Sequence, residues 1–397
     1  MRIGTLSIIF CGLLATLGVT SVVTPSQARM KAGMLKSVVT GPVAKMPKRW
    51  KQFTEFLDKN VAEHVLGHEV FVELNGVCQK IQGKNLVQDS GLVAIYKQPE
   101  TGNLLIPEKK AIELPKIVDN LCRFRDNLTS QRIPLLVCII PDKPSLPDAT
   151  FPKGYDFYAR ENLDSFFTLA QAKGLDSLDL RDKINTSSQY FKTDHHLKST
   201  TAFVVAKDIV DWLRRKNVIG KDASFDPVRE NYEEWMTPCR FIGSWGKRVG
   251  EIWSGCDDFV LMIPKFCNSF TVDMKALRSS VMHREGDFKH SILDLSVIES
   301  TDKYDNRWGV ILGHHDWEMV RIHNNNRHSS GKVMFIEDSF GLGTMPYVVP
   351  TVSEFVLIDL RSFKNMTATQ FISEEKPDAV VVIYNSEQLL VPHMFQL

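Results

Sequence analysis

The sequence predicts an α/β fold in which helices cover both faces of a mainly parallel sheet, giving three layers. Segments with helical spacing of apolar residues alternate with short apolar runs, over residues 115–213 and again over residues 332–384. Such alternation favours parallel strands joined by helical crossovers. Between these stretches, from about 219 to 310, the runs are shorter and separated by turns, which predicts a β-rich insertion.

The individual elements follow from the spacing of apolar residues and from the loops between them. Helices are predicted at 115–129, 162–173 and 199–213, and one begins at about Leu342. Strands are predicted at 133–140, 175–180, 332–338, 355–359 and 379–384, and within the insertion at 259–263, 270–274 and 291–295.

The N-terminus has the pattern of a secretory signal. Arg2 gives a basic start, an apolar run extends from Leu6 to Val23, and Ser26-Gln-Ala28 offers a small-x-small cleavage site. We therefore expect residues 1–28 to be a signal peptide and residues 29–397 to form one exported domain, periplasmic or extracellular. An uncleaved membrane anchor is the alternative, because the run is nearly long enough to cross a bilayer.

Charge and cysteine content narrow the class of protein further. The 48 basic and 47 acidic residues nearly cancel and form no long block of one sign, which argues against a nucleic-acid partner. Six cysteines follow the leader, and an exported chain permits disulfides. The cluster of Cys239, Cys256 and Cys267 is where we expect a bridge first, whereas Cys138 reads as a buried hydrophobe within an apolar strand.

One strand-like run ends in a serine. Residues 332–338 read KVMFIED, and Ser339 follows directly, before small and flexible residues. A hydroxyl on a sharp turn from a buried strand into a helix lies at the sheet edge beside main-chain amides. Asp194 and His196 lie about 140 residues earlier, at a spacing that lets both side chains leave one loop on the same side. A carboxylate, an imidazole and a hydroxyl together predict an acyl-transfer site.

Four segments together resemble the DHHW family, which is related to the alginate O-acetyltransferases of the SGNH-hydrolase superfamily. They are Thr193-Asp-His-His196 before a helix, FIGSWGKRVG at 241–250, Ile322-His-Asn324, and Glu337-Asp-Ser-Phe340. The resemblance spans about residues 95–390. It implies an SGNH-like domain in which the order of the catalytic segments is permuted, with the Asp-x-His segment first and the serine late.

The resemblance also implies a function. Ser339 would be the nucleophile, His196 the base and Asp194 the group that orients it, while Asn324 would help to stabilise the oxyanion. Arg361 would lie near the site as a substrate or structural residue, and an ion pair with Asp359 or Glu354 is its alternative role. The family's role is exported O-acetyl transfer onto polysaccharide beside a membrane-bound O-acyltransferase that supplies acetyl groups. We expect no cofactor and no metal.

The sequence departs from the family pattern at several positions. Leu197 stands where the family name expects tryptophan, Lys198 and Thr201 replace a common threonine and glycine, and Glu337 stands where glycine is frequent. None of these changes removes a member of the predicted triad. They concern the geometry of the loop and the fit of the substrate.

Other interpretations of the sequence stay open. The same triad would serve a carbohydrate acetylesterase, and a noncatalytic polysaccharide-binding or assembly protein could keep the fold. The run His314-His-Asp316 is a weaker candidate for a metal site, because further ligands are not evident. Several tryptophans could stack on sugar rings or pack in the core, namely Trp245, Trp253, Trp308 and Trp317.

Overall fold

The computed structural model of the 397-residue chain describes residues 68–88, 93–155, 157–276, 281–300, 302, 304–313, 317–326, 331–364 and 366–397. The predicted leader lies outside the described residues. The described residues belong to two units, one that ends at residue 78 and one that extends from residue 79 to residue 397. Residues 68–78, the described part of the first unit, are helical. Among the described helices, none combines the length and the apolar character that crossing a membrane requires.

The described residues form thirteen strands and nine α-helices. The strands are β1 (Leu86–Gln88), β2 (Ala94–Lys97), β3 (Leu104–Leu105), β4 (Leu135–Ile140), β5 (Ser177–Asp179), β6 (Tyr232–Phe241), β7 (Asp257–Pro264), β8 (Phe270–Ala276), β9 (Met282–Gly286), β10 (Trp317–Asn324), β11 (Lys332–Glu337), β12 (Glu354–Ile358) and β13 (Ala379–Asn385). The helices are α1 (His68–Ile81), α2 (Leu114–Ser130), α3 (Ala159–Ala172), α4 (Ser199–Arg215), α5 (Ser244–Val249), α6 (Glu251–Ser254), α7 (Ser296–Glu299), α8 (Ser339–Val348) and α9 (Ala368–Glu375).

An eight-stranded sheet with the order β5-β4-β13-β11-β12-β10-β8-β9 is the centre of the larger unit. The five strands from β5 to β12 are parallel, and the three beyond them pair antiparallel. β6 and β7 form a separate two-stranded sheet, and β1, β2 and β3 form a third, antiparallel one. The predicted fold class, α/β with a mainly parallel sheet, is confirmed.

Both faces of the central sheet are buried along β4, β11, β12 and β13, as the continuous apolar runs of these strands require. Along β11, Val333 and Phe335 belong to a core shared with α4 and α8, while Met334 and Ile336 belong to a core shared with α2, α3 and α9. The fold therefore has three layers. Glu337, the next residue on β11, alternates onto the face of α4 and α8.

Most predicted elements are confirmed, with two corrections. Residues 291–295 were predicted as a strand, but Phe288–Ile292 forms a π-helix, because the Asp287 carboxylate accepts the His290 N–H at 3.0 Å and caps a helical turn. The helix predicted from about Leu342 begins at Ser339. The boundaries of the predicted insertion stay a prediction; this range contains β6 and β7 and also β8 and β9, which extend the central sheet.

A disulfide joins Cys239 to Cys256, two of the three cysteines among which a bridge was expected first. It connects the end of β6 to the residue immediately before β7. Cys138 is fully buried in β4, as predicted.

Candidate active site

Ser339 is held at the carboxyl edge of the central sheet by the turn from β11 into α8. Asp338 caps the helix, since one carboxylate oxygen accepts the Phe340 N–H at 2.9 Å. The other oxygen accepts the Asn385 N–H at 3.0 Å, at the end of the neighbouring strand β13. The cap explains why α8 begins at Ser339 and not three residues later. It also fixes the serine relative to two parallel strands.

The three residues predicted as a triad lie in one chain of hydrogen bonds. The Nε2 atom of His196 is 2.8 Å from Ser339 Oγ, and its Nδ1 atom is 2.5 Å from Asp194 Oδ1. An ionised carboxylate can only accept, so Nδ1 carries the ring proton and Nε2 accepts the serine O–H. His196, and not the adjacent His195, faces the serine.

Three donors orient the Asp194 carboxylate. Besides the His196 ring, the His196 main-chain N–H donates to Oδ1 at 2.9 Å and the Ser244 N–H donates to Oδ2 at 2.5 Å. Burial alone would raise the pKa of Asp194, but the two histidine rings and the hydrogen bonds from His196 hold that pKa well below its ordinary value. The carboxylate is therefore ionised at neutral pH. Burial and the neighbouring His196 lower the pKa of His195, so its ring is neutral there.

A second carboxylate, that of Asp257, binds the main chain of the loop that carries Asp194. Asp257, at the start of β7, accepts the Lys192 N–H at 2.7 Å and the Thr193 N–H and hydroxyl at 2.9 and 2.7 Å. Lys143 is fully buried and donates to the Phe191 and Lys192 carbonyls at 2.9 and 3.1 Å. These contacts fix the main chain just before the triad residues.

The segment FIGSWGKRVG, residues 241–250, also binds this loop through main-chain N–H groups. The Gly243 N–H donates to Thr193 Oγ1 at 2.8 Å, and the Gly246 N–H donates to the Thr193 carbonyl at 2.9 Å. A Cβ on Gly243 would lie 2.6 Å from Asp194 Oδ2 and 2.6 Å from the Thr193 carbonyl oxygen. Only glycine allows this close approach.

A cavity of about 360 Å³ opens beside Ser339 on the face of the sheet that carries α8. Its lining includes His196 and Ser339, residues 306–313 in part, and side chains from β10, β11 and β12. The Trp308 ring stacks on the His196 ring, with centroids 4.1 Å apart and planes 15° apart. A Cβ on Gly343 would lie 2.7 Å from that indole, so glycine in α8 makes room for it.

Two carboxyl groups and a guanidinium form the polar wall of the cavity. Arg361 binds the Asp359 carboxylate through Nε at 2.9 and 3.0 Å and through Nη2 at 2.6 Å. Glu337 is 3% exposed, and its Oε2 has no hydrogen-bond partner among the described residues. Burial, then the neighbouring Asp359 and Asp338, raise the pKa of Glu337 well above its ordinary value, against the opposing effect of Arg361.

The two remaining predicted residues have different positions. Arg361 lines the cavity and pairs with Asp359, one of the two partners considered from the sequence. Asn324 does not reach the site, so its predicted oxyanion role is wrong. It ends β10 at the edge where β11 begins, opposite Ser339, because β10 runs antiparallel to its neighbour β12. Its amide donates to the Pro350 carbonyl at 3.1 Å.

Metal-ligating atoms cluster twice within the described residues. Asp194, His195 and His196 bring one such atom each within 4.8 Å of one another, but Asp194 and His196 already bond to each other and to Ser339. Cys239 and Cys256 form the other cluster with Glu251 and are joined by the disulfide. His314–Asp316, the run considered from the sequence, lies outside the described residues.

Sequence reasoning did not assign several of the supporting residues. Asp257 and Lys143 carry no motif, since their role depends on long-range contacts with the loop at 191–193. Trp308 was considered only as a sugar-stacking or core residue, and its contact with His196 joins distant segments. The signal for Glu337 was present, because an acidic residue stands where glycine is frequent in the family.

Comparison with known proteins identifies a related domain over one third of the chain. Residues 101–233 match the family model of the SGNH hydrolase-like domain of acetyltransferase AlgX. The match includes Asp194 and His196 and ends before Ser339. No curated protein matches the chain.

Two solved structures share the fold over most of the chain. A DHHW family protein from Eubacterium siraeum aligns with a TM-score of 0.58 and 16% identity, over 79% of this chain and 97% of that one. Bacillus cereus PatB1 with a sulfonyl adduct aligns with a TM-score of 0.61 and 19% identity, over 77% of this chain and 97% of that one. The predicted resemblance is confirmed, and the fold is SGNH-like.

Proposed function

We propose that this protein is an exported serine-dependent O-acetyltransferase that moves acetyl groups onto an extracellular or cell-envelope polysaccharide. The observation that carries the proposal is the hydrogen-bond chain in which His196 Nε2 lies 2.8 Å from Ser339 Oγ and His196 Nδ1 lies 2.5 Å from Asp194. The match of residues 101–233 to an acetyltransferase domain supports acetyl as the transferred group.

The first half-reaction loads the serine. Ser339 Oγ attacks the acetyl carbonyl of the donor while His196 takes the hydroxyl proton, and the imidazolium that forms is stabilised by Asp194. Collapse of the tetrahedral intermediate expels the leaving group, which receives the proton from His196. The first main-chain amides of α8 lack acceptors within the helix, so we assign oxyanion stabilisation to the helix N-terminus, at the Ser339 N–H. The Phe340 N–H is already bonded to Asp338.

The second half-reaction transfers the acetyl group. A sugar hydroxyl attacks the acetyl-serine ester, His196 removes its proton, and collapse regenerates the Ser339 hydroxyl with that proton. The cavity of about 360 Å³ beside Ser339 supports transfer over hydrolysis, because it is in the range of small-molecule sites and larger than an acetyl group needs. We propose a membrane-bound O-acyltransferase as the acetyl donor.

The decisive experiment follows covalent labelling of the serine. The purified protein is incubated with p-nitrophenyl acetate, or with a sulfonyl fluoride, and examined by intact-mass spectrometry. We expect one adduct on the wild type and none on Ser339→Ala, and a fall of about a thousandfold in labelling rate for His196→Gln. Labelling that persists in Ser339→Ala would contradict the proposal.

A second measurement separates transfer from the two alternatives. An oligosaccharide added to the acetylated protein should yield acetylated sugar, whereas a carbohydrate acetylesterase would release free acetate. In cells, unchanged polymer acetylation in the Ser339→Ala strain would indicate a noncatalytic binding or assembly protein instead.

A further inference from the structure

Two residues that line the cavity beside Ser339, Glu337 and Trp308, each carry a buried polar atom with no partner among the described residues. The two atoms are Glu337 Oε2 and Trp308 Nε1. Glu337 is 3% exposed and Trp308 is 8% exposed. Leaving a buried polar group unpaired is unfavourable, so a ligand that satisfies both groups gains affinity from them.

The chemistry of these two groups restricts the ligand. The indole N–H can only donate and so requires an acceptor. A carboxyl group that keeps its proton both donates and accepts, as a hydroxyl does. The protonated form is favoured at Glu337 by burial and by Asp359 and Asp338, which raise its pKa, while Arg361 acts in the opposite direction. A ligand rich in hydroxyl groups satisfies both positions.

The charge of the cavity wall restricts the ligand further. Arg361 is the one lysine or arginine side chain among the described lining residues, and two of its nitrogens are bound to the Asp359 carboxylate. Because Asp359 already neutralises Arg361, the wall has no net positive charge to compensate the desolvation of an incoming carboxylate. Burying an ionised group without a partner of opposite charge is unfavourable, so an acidic sugar is expected to bind more weakly. Nothing comparable opposes an uncharged sugar.

We propose that Glu337 and Trp308 form the acceptor subsite, hydrogen-bond the hydroxyl groups of an uncharged sugar, and thereby select neutral glycans over uronic-acid polymers. The inference rests on the proposed function and specifies its acceptor. Glu337 occupies a position where the related family frequently has glycine, so the selectivity is a property of this chain's own sequence.

Binding is tested directly with the Ser339→Ala protein, which cannot transfer acetyl. Calorimetric titration with cellohexaose, xylohexaose and chitohexaose as uncharged probes is compared with hexamannuronate and hexagalacturonate as anionic ones. We expect at least one uncharged probe to bind and both oligouronates to bind at least about tenfold more weakly. Equal or tighter binding of an oligouronate would overturn the inference, as would the failure of every uncharged probe.

The same acceptors are then compared in the transfer step. Each protein is first acetylated, and acetyl transfer is expressed per acetyl-enzyme formed. Glu337→Ala should raise the half-saturating concentration of the uncharged acceptor about tenfold, and Trp308→Phe, which keeps the ring but removes the N–H, should raise it several-fold. Glu337→Gln should stay within about threefold of wild type, because an amide also donates and accepts.

Glu318→Gln provides the matched control, since Glu318 is 3% exposed but does not line the cavity. Its half-saturating concentration should equal that of the wild type. Equal behaviour of Glu337→Ala and Glu337→Gln would overturn the hydrogen-bonding role. A protein that binds neutral sugars but never forms a Ser339 adduct would contradict only the proposed function, whereas one that forms the adduct without acceptor selectivity would contradict only this inference.

Discussion

The loop that carries Asp194 and the wall of the adjoining cavity differ in how completely their polar groups are paired. In the loop, the Thr193 N–H, hydroxyl and carbonyl and both oxygens of the Asp194 carboxylate have partners, and Lys143 donates to the two carbonyls before Thr193. In the cavity wall, Glu337 Oε2 and Trp308 Nε1 are buried and have no hydrogen-bond partner in the part of the chain that the structure describes. The two regions meet at Ser339.

This difference corresponds to two requirements of a group-transfer site. The chemical groups must be held in reacting geometry before the substrate arrives, because reorganisation during the reaction raises the barrier. Groups that recognise a ligand keep unsatisfied hydrogen-bonding capacity until the ligand supplies it. The pairing of polar groups therefore distinguishes the catalytic side of Ser339 from its recognition side.

We expect the largest effect in the loop that carries Asp194, at the glycine that packs against its carboxylate. Gly243→Ala would place a Cβ 2.6 Å from Asp194 Oδ2, so the carboxylate must move away from its donors. We expect labelling of Ser339 to slow by about a hundredfold, since small displacements of a triad member have effects of that size. Stopped-flow measurement of p-nitrophenol release tests this. Ser244→Ala keeps the main-chain N–H that binds Asp194 and should remain close to wild type.

The second-largest effect on Ser339 labelling is expected at Lys143, the buried lysine that binds the loop. Lys143→Met keeps the apolar stem but leaves the Phe191 and Lys192 carbonyls without their donor. The cost of about 1–3 kcal/mol falls on the main chain before Asp194, and we expect labelling to slow by about tenfold. Lys183→Met, at a lysine whose side chain is 53% exposed, is the control. An unchanged labelling rate in Lys143→Met would show that the loop does not need this support.

Much of the catalytic side of Ser339 could be predicted from the sequence, because its residues are close together in the chain or follow a recognisable element. Asp194 and His196 are two residues apart, and Ser339 follows an apolar strand that ends in a helix cap. Strand order in a parallel sheet then brings the loops at its carboxyl edge together. Asn324 failed as a prediction for the same reason, since β10 is antiparallel to its neighbour and carries that residue to the other edge.

The cavity wall on the recognition side of Ser339 could not be predicted, because it is assembled from segments that are distant in the sequence. Trp308 meets His196 only after the chain has folded, and the residues that surround Glu337 in the cavity wall come from β12 and α8. A sequence pattern records which residue is unusual, as it did at Glu337, but not which partners it lacks. Hydrogen-bond satisfaction is a property of the tertiary structure.

A third prediction tests the protonation of the unpaired carboxyl through stability. A group whose folded pKa lies above its ordinary value of 4.5 keeps its proton when the unfolded chain has lost it. Stability therefore falls as pH rises above that value, by about 1.4 kcal/mol per pH unit until the folded pKa is reached. Glu337→Gln should lack this loss, so its stability relative to wild type should increase with pH in urea unfolding experiments.

Glu337→Ala separates titration from packing in the same experiment. Its absolute stability should be lower because of the cavity it creates, but its pH dependence should follow that of Glu337→Gln. If the free energy of unfolding varied with pH in the same way for wild type and both variants above pH 4.5, Glu337 would be ionised in the folded protein. That result would contradict the protonated carboxyl group proposed for the cavity wall.

The smallest effect tests how the chain accommodates Glu337. A Cβ on Gly341 would lie 2.5 Å from Glu337 Cβ and 2.9 Å from Oε2, so the first turn of α8 tolerates the acidic side chain only with glycine at this position. Gly341→Ala should destabilise the protein, and less so when combined with Glu337→Gly. We expect a coupling of about 1 kcal/mol in a double-mutant cycle. Because the same Cβ would also lie 2.7 Å from Ile383 Cγ2, part of the cost should persist in the double variant. Purely additive free energies of unfolding would show that Glu337 and Gly341 are independent. The glycine would then not be what allows the carboxyl group its position.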